Sequence, residues 1–165
     1  MAFPITPVAG LSLDGIETGD FAVGTEVTDN QGRRRLLVNT NGSTVPCLCL
    51  HINSAFLANA MTPALAITAG QIGFMPASAS ASATQKVWAI MSGPVRVRVA
   101  ASCQPNIPLY TTDTAGVLDD ASVSLSQFQV MGIEVDTGYS NSAAGASNLP
   151  ATAGNLLIRH PVQAA

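Results

Sequence analysis

Three residues spaced two apart, Cys47, Cys49 and His51, form the one constellation in the sequence with the atoms of a soft-metal site or of a thiol and its base. On an extended strand all three side chains share a face, and adjacent pairs come within chelating reach. The outer two lie roughly 13 Å apart at about 3.3 Å per residue, too far for one tetrahedral ion to hold all three. Cysteine is also among the most buried residue types and packs as a small hydrophobe. Core packing is therefore the favoured reading, and no metal or cofactor is expected. Asp113, Asp119 and Asp120 carry oxygens of the kind calcium takes. Their spacing is not that of an EF-hand, and aspartate is a common turn residue, so turn chemistry is favoured there.

Arg33, Arg34 and Arg35 form the one basic run. On a strand, Arg33 and Arg35 face opposite to Arg34, so the run does not make a single basic patch. Solvated or edge-protecting arginines and contact with an acidic protein partner are the two main readings, with phosphate binding a minor third. Catalytic motifs are missing: no Gly-x-Ser-x-Gly, no His-Glu-x-x-His, no phosphate-binding glycine loop and no dinucleotide fingerprint. Only His51 and His160 could serve as an imidazole base, so a small hydrolase subunit is the residual enzymatic reading and a non-enzymatic protein is expected.

The elements that would position these residues are short. In 165 residues the charged fraction is 10 %, the net charge is −3 and Lys86 is the single lysine, against roughly 25 % charged residues in an average domain. So little charge implies that much of the surface is hidden in an oligomer or against a partner. An acidic balance argues against general nucleic-acid binding. No segment has the roughly 18 or more apolar residues that span a bilayer. The start of the chain lacks the basic and apolar run of a secretory signal, so synthesis in a cytoplasm is expected, with the three cysteines reduced.

Residues 1–20, with Pro4, Pro7, Gly10, Gly15 and Gly19, read as an extended arm ahead of a β-rich domain at 21–165. Asp29-Asn30-Gln31-Gly32 is a hairpin turn between Phe21–Thr28 and Arg33–Thr40, and Asn41-Gly42 a second, tight one leading into Val45–Ile52. That strand is apolar on both faces and should be central. A helix is predicted over Asn53–Met61, capped by Asn53 or Ser54 and stopped before Pro63. Strands broken at Gly70 and Gly73 follow, then a mobile Ala/Ser surface loop at 77–84. Lys86–Ala101 alternates, with Val95, Val97 and Val99 opposite Arg96 and Arg98, and Trp88 in the core. Asp113–Gly116 turns between Leu109–Thr112 and Val117–Leu118. Phe128–Val135 and Asn155–His160 are strands, and 138–154 a long loop. Many short strands with regular turns give an all-β, single-domain antiparallel sandwich or barrel with one short helix.

Phe21–Val27, followed by Asn30–Arg33 and a Leu-Leu-Val strand, resembles the N-terminal hairpin of small bacteriophage capsid-decoration (cement) proteins. Leu109–Asp120 and then Val130–Ile133 resemble their C-terminal half. The resemblance implies a β-tulip-like sandwich bound at capsomer junctions on the virion exterior, the major capsid protein as partner, and a homo-oligomer, dimer or trimer. It carries no catalytic residue, no nucleic-acid partner and no membrane. Phe3, Pro4, Ile5 and Pro7 of the arm, with Arg33, Arg34 and Arg35, are the expected partner contacts. A tail- or fibre-associated β module that binds a receptor or glycan is the alternative, although the chain has few aromatics to grip a sugar.

Overall fold

Five strands at the centre of this protein close into a barrel because the last of them in the chain pairs back onto the first. A computed structural model of the chain describes residues 13–100, 103–104, 107–121, 127–130, 133 and 147–151. In chain order the elements are β1 (Ile16–Glu17), β2 (Glu26–Thr28), β3 (Arg34–Thr40), β4 (Cys49–Ile52), β5 (Leu57–Ala60), α1 (Pro63–Ala66), β6 (Gln71–Phe74), β7 (Lys86–Ser92), β8 (Val95–Val99), β9 (Leu109–Thr111), β10 (Leu118–Asp119), β11 (Gln129–Val130) and β12 (Ser147–Ala151). One sheet runs β1-β7-β6-β4-β5-β3-β2, and β7 also pairs with β3, so β7, β6, β4, β5 and β3 form a closed ring. A second sheet, β11-β9-β10-β8-β12, follows it. Pairing is antiparallel except for β3 with β5 and β8 with β10, which are parallel. The all-β architecture read from the sequence is the one observed.

The barrel is filled by its own side chains. Leu36 and Val38, Leu50 and Ile52, Ala58, and Val87, Ala89 and Met91 point inward and pack with Leu48, Met75, Ala79 and Ala81. Space inside is tight: a Cβ on Gly73 of β6 would lie 2.9 Å from Ile52 Cδ1 and 3.0 Å from Met91 Sδ. On the outer wall, Cys49, Ile72, Phe74 and Ile90 meet Val95, Val97, Val99, Cys103, Leu109, Leu118, Val130 and Ile133, and this second core joins barrel to sheet. A third, smaller core sits under the N-terminal segment, where Leu13, Val27, Leu37 and Trp88 pack with Phe21. Trp88 is fully buried, and its Nε1–H donates to Glu17 Oε2 at 2.8 Å.

Several expectations need correction. Asn53–Met61 is not a helix. Asn53 Oδ1 accepts from the amides of Ala55 and Leu57, and Phe56 takes φ +58°, so the side chain that could cap a helix closes the β4–β5 turn instead. The helix lies one step on, at α1, where Thr62 is the N-cap and accepts from Leu65 N–H with proline in the first turn. Asn41-Gly42 does not join neighbouring strands, since β3 pairs with β5 and β7 rather than with β4. The Ala/Ser segment is not wholly a surface loop. Ala79 and Ala81 are buried in the barrel core, and Ala81 makes a β-bridge with Thr44. Small side chains there fit a narrow interior that larger ones would overfill.

Lys86–Ala101 is two strands. Gly93, at φ +94° and pressed against Arg33, turns the chain from the barrel into the second sheet. Part of the expected loop at 138–154 is strand β12, paired with β8 from Ser147↔Val99 to Ala151↔Val95. Residues 13–20 are not a free arm: β1 pairs with β7, and Leu13 is buried. The β2–β3 hairpin turns at Asp29–Gly32 as expected, with Gly32 at φ +76°. Residues 1–12 and the predicted strand at 155–160 lie outside the described residues.

Candidate partner-binding surface

The three consecutive arginines do not share a fate. β3 projects Arg35 outward from the barrel, but the N-terminal segment covers it, leaving it 1 % exposed. Its guanidinium donates to the Leu13 carbonyl, to Asp14 Oδ1 at 2.6 Å and to Asp29 Oδ2 at 2.9 Å. Arg33 Nε donates to the same Asp29 oxygen at 2.6 Å. Asp29 also accepts the backbone amides of Gln31 and Arg33, so one carboxylate fixes the hairpin turn and two guanidiniums. Burial pushes the Asp29 carboxyl up, but the hydrogen bonds from Arg33, Arg35 and Gln31 outweigh it and hold it below its ordinary value. Arg34 points the other way and pairs with Glu26 at 3.1 Å on the surface.

The expectation that Arg33–Arg35 all reach a partner is thus narrowed. Arg35, committed to Leu13, Asp14 and Asp29, is an internal clasp; Arg33 belongs mainly to the same clasp; Arg34 alone has a well-exposed side chain. Phe3, Pro4, Ile5 and Pro7 lie outside the described residues. The clasp holds Leu13 and Asp14, and Ser78 Oγ adds a bond to the Asp14 carbonyl.

Two arginines that sequence reading treated only as strand periodicity emerge instead. On β8, Val95, Val97 and Val99 are buried while Arg96 is exposed and Arg98 half-buried. Neither makes an ion pair with any described residue, and Arg98 Nε is shielded from solvent without a hydrogen-bond partner. The other described cations are all engaged: Lys86 donates to the Phe21 carbonyl at 2.8 Å, and Arg33, Arg34 and Arg35 have their carboxylates. Beside the pair, Arg98 N–H donates to the Cys47 carbonyl at 2.8 Å. Burial raises the Cys47 thiol, and the charges of Arg96 and Arg98 oppose that rise. The exposed Val45 lies two residues away.

The Cys47-x-Cys49-x-His51 set does not act as one face. Cys47 sits at φ +65° ahead of β4, Cys49 is in the core between barrel and sheet, and all three cysteines are free and buried. His51 Nε2 lies 3.1 Å from Thr68 Oγ1, whose single proton goes to the Leu65 carbonyl. The hydroxyl therefore accepts from Nε2–H, and Nδ1 is left as a buried lone pair with no partner.

A donor set not anticipated from sequence joins Cys103 to Asp119 and Asp120, with one ligand atom from each within 4.8 Å of the others. Asp113 is not a member. Burial, aided by the two carboxylates, pushes the Cys103 thiol up to about 12, so at neutral pH it is a protonated thiol and a poor nucleophile. Asp119 is raised by burial, by a side-chain hydrogen bond with Asp120 and by that neighbour's charge. Asp120 Oδ2 also accepts the Gln104 amide at 2.9 Å, so the acid pair beside the buried thiol is tied to the loop that carries Cys103. No family model matches the chain, and no match was found among curated proteins or among solved structures.

Proposed function

We propose that this chain is a structural accessory protein that docks on the exterior of a bacteriophage capsid at capsomer junctions and stabilises the shell, as a dimer or trimer against the major capsid protein. The observation that carries this reading is the closed barrel filled by its own side chains. Such a body is a stiff spacer with no interior for a small ligand, and it adds to a shell by burying surface at many equivalent seams. Low charge and the resemblance of the Phe21–Arg33 hairpin and of Leu109–Asp120 with Val130–Ile133 to decoration proteins point the same way. The tail- or fibre-module alternative is weaker, because Trp88, the one tryptophan, is fully buried and offers no face to a sugar.

The test is cosedimentation of the purified protein with empty capsids that lack it, over rising concentration. Saturation at a fixed copy number per capsomer, with a raised capsid melting temperature, is the expected result. Absence of binding to every capsid tried, with a positive glycan array, would transfer the assignment to an adhesion module. Because the clasp holds Leu13 and Asp14, deleting residues 1–10 should weaken capsid binding and leave the melting temperature of the free protein unchanged. Undiminished occupancy of the deleted form would remove the arm from the contact.

A further inference from the structure

We propose that Arg96 and Arg98 form a docking face for a partner protein and that the group they receive is a pair of surface carboxylates. The two residues alternate with buried valines on β8, so their side chains leave the same face roughly 7 Å apart along the strand. Four of the six described cations have side-chain ion pairs or hydrogen bonds, and these two have none among the described residues. Arg98 is half-buried and its Nε has no hydrogen-bond partner, a condition that costs free energy and leaves this guanidinium uncommitted within the described chain. A guanidinium fork matches the two oxygens of a carboxylate, and charge-assisted pairs of this kind are among the stronger hydrogen bonds.

Carboxylate is favoured over nucleic-acid phosphate by the whole-chain field. A net charge of −3 repels a polyanion at long range, whereas a local acidic patch on a protein needs only the local pair. Val45, 39 % exposed, and half-buried Pro46 lead into Cys47, whose carbonyl is bonded to β8, and give the cationic pair an apolar rim. The identity of the partner as a capsid rests on the decoration reading above; the specificity for carboxylates does not.

The experiment follows the arginine Nε–Hε signals of the 15N-labelled full chain while hexaglutamate is added at low salt. The expected result is saturable movement of the Arg96 and Arg98 signals, reversed by salt, with binding about tenfold weaker in Arg96→Gln/Arg98→Gln. Arg98→Lys, which keeps the charge but removes the Nε donor, should fall between the two. Arg96→Gln alone, at an exposed position, guards against an effect of misfolding. Unmoved Arg96 and Arg98 signals at millimolar peptide, or a single-stranded oligonucleotide binding there more tightly than hexaglutamate, would overturn the proposal. Capsid cosedimentation in parallel separates the two readings. Wild-type binding that the double variant retains in full sinks the docking face and spares the decoration role. Peptide binding without capsid binding does the reverse.

Discussion

Arg35 is an arginine nearly out of water that ties three stretches of chain together, and a single substitution tests what that contact holds. Removing one partner from a buried ion network leaves the others desolvated and unpaired. Arg35→Met should therefore lower the unfolding free energy by about 3 kcal/mol, while Arg34→Ala, which loses only a surface pair, should stay within about 0.5 kcal/mol of wild type. Denaturant titration of the two variants decides it. The acid side follows from the same residues. Asp29 is held below its ordinary value of 3.8, so its contribution is present above that value and is lost as pH falls through the lower native one. Asp119 works in the opposite direction. Its native value is raised, so the stability it adds is full below 3.8 and fades as pH rises through the native value. Neither effect was legible in the sequence. Arg33-Arg34-Arg35 looks like three equivalent charges until the segment around Leu13 is laid over one of them.

At the scale of elements, sequence pattern succeeded where one face of a strand meets water and failed where both faces are covered. β8, with valines inside and arginines outside, reads correctly from alternation alone. β7 is buried on both faces apart from its first residue, so alternation there says little about which neighbour each face meets. The turn at Asn53 shows a different limit. An Asn followed by Ser and Ala suits a helix cap and a tight turn equally, and only the pairing of β4 with β5 selects the turn. The run of alternating alanine and serine is exposed as expected except at Ala79 and Ala81, because small residues suggest an unpacked segment and give no sign that two of them enter the interior. Inside a narrow barrel the alanine side chains at 79 and 81 are what fits. Ala81→Glu should accordingly cost more than about 3 kcal/mol, since it puts a charge into the filled interior. Ala83→Glu, two residues on and exposed, should be neutral within about 0.5 kcal/mol. Equal melting temperatures for the two variants would contradict the packing of this segment.

For the whole molecule, the all-β class could be read from turn spacing, but ring closure could not, because it depends on β7 finding β3 about fifty residues earlier in the chain. The three cores share strands: β7 contributes to the barrel interior, to the layer beneath the second sheet and to the cluster under the N-terminal segment. Trp88, in the cluster under the N-terminal segment, and the buried thiols Cys49 and Cys103, in the core between barrel and second sheet, should therefore report one event. Tryptophan emission and thiol labelling are expected to show the same denaturant midpoint, and separated midpoints would mean that the second sheet unfolds on its own.

The ring also fixes a hazard during synthesis. Until β7 has left the ribosome, β3 and β6 each present an open edge of unpaired amides and carbonyls, with a greasy, half-built interior between them. A nascent chain in that state is a template for its neighbours on the same message. Crowded translation should yield strand-exchanged or insoluble material unless the next stretch of chain arrives promptly. Slowing elongation just before residue 86 would lower the soluble yield, and speeding it there would raise it, with no change in the sequence of the finished protein.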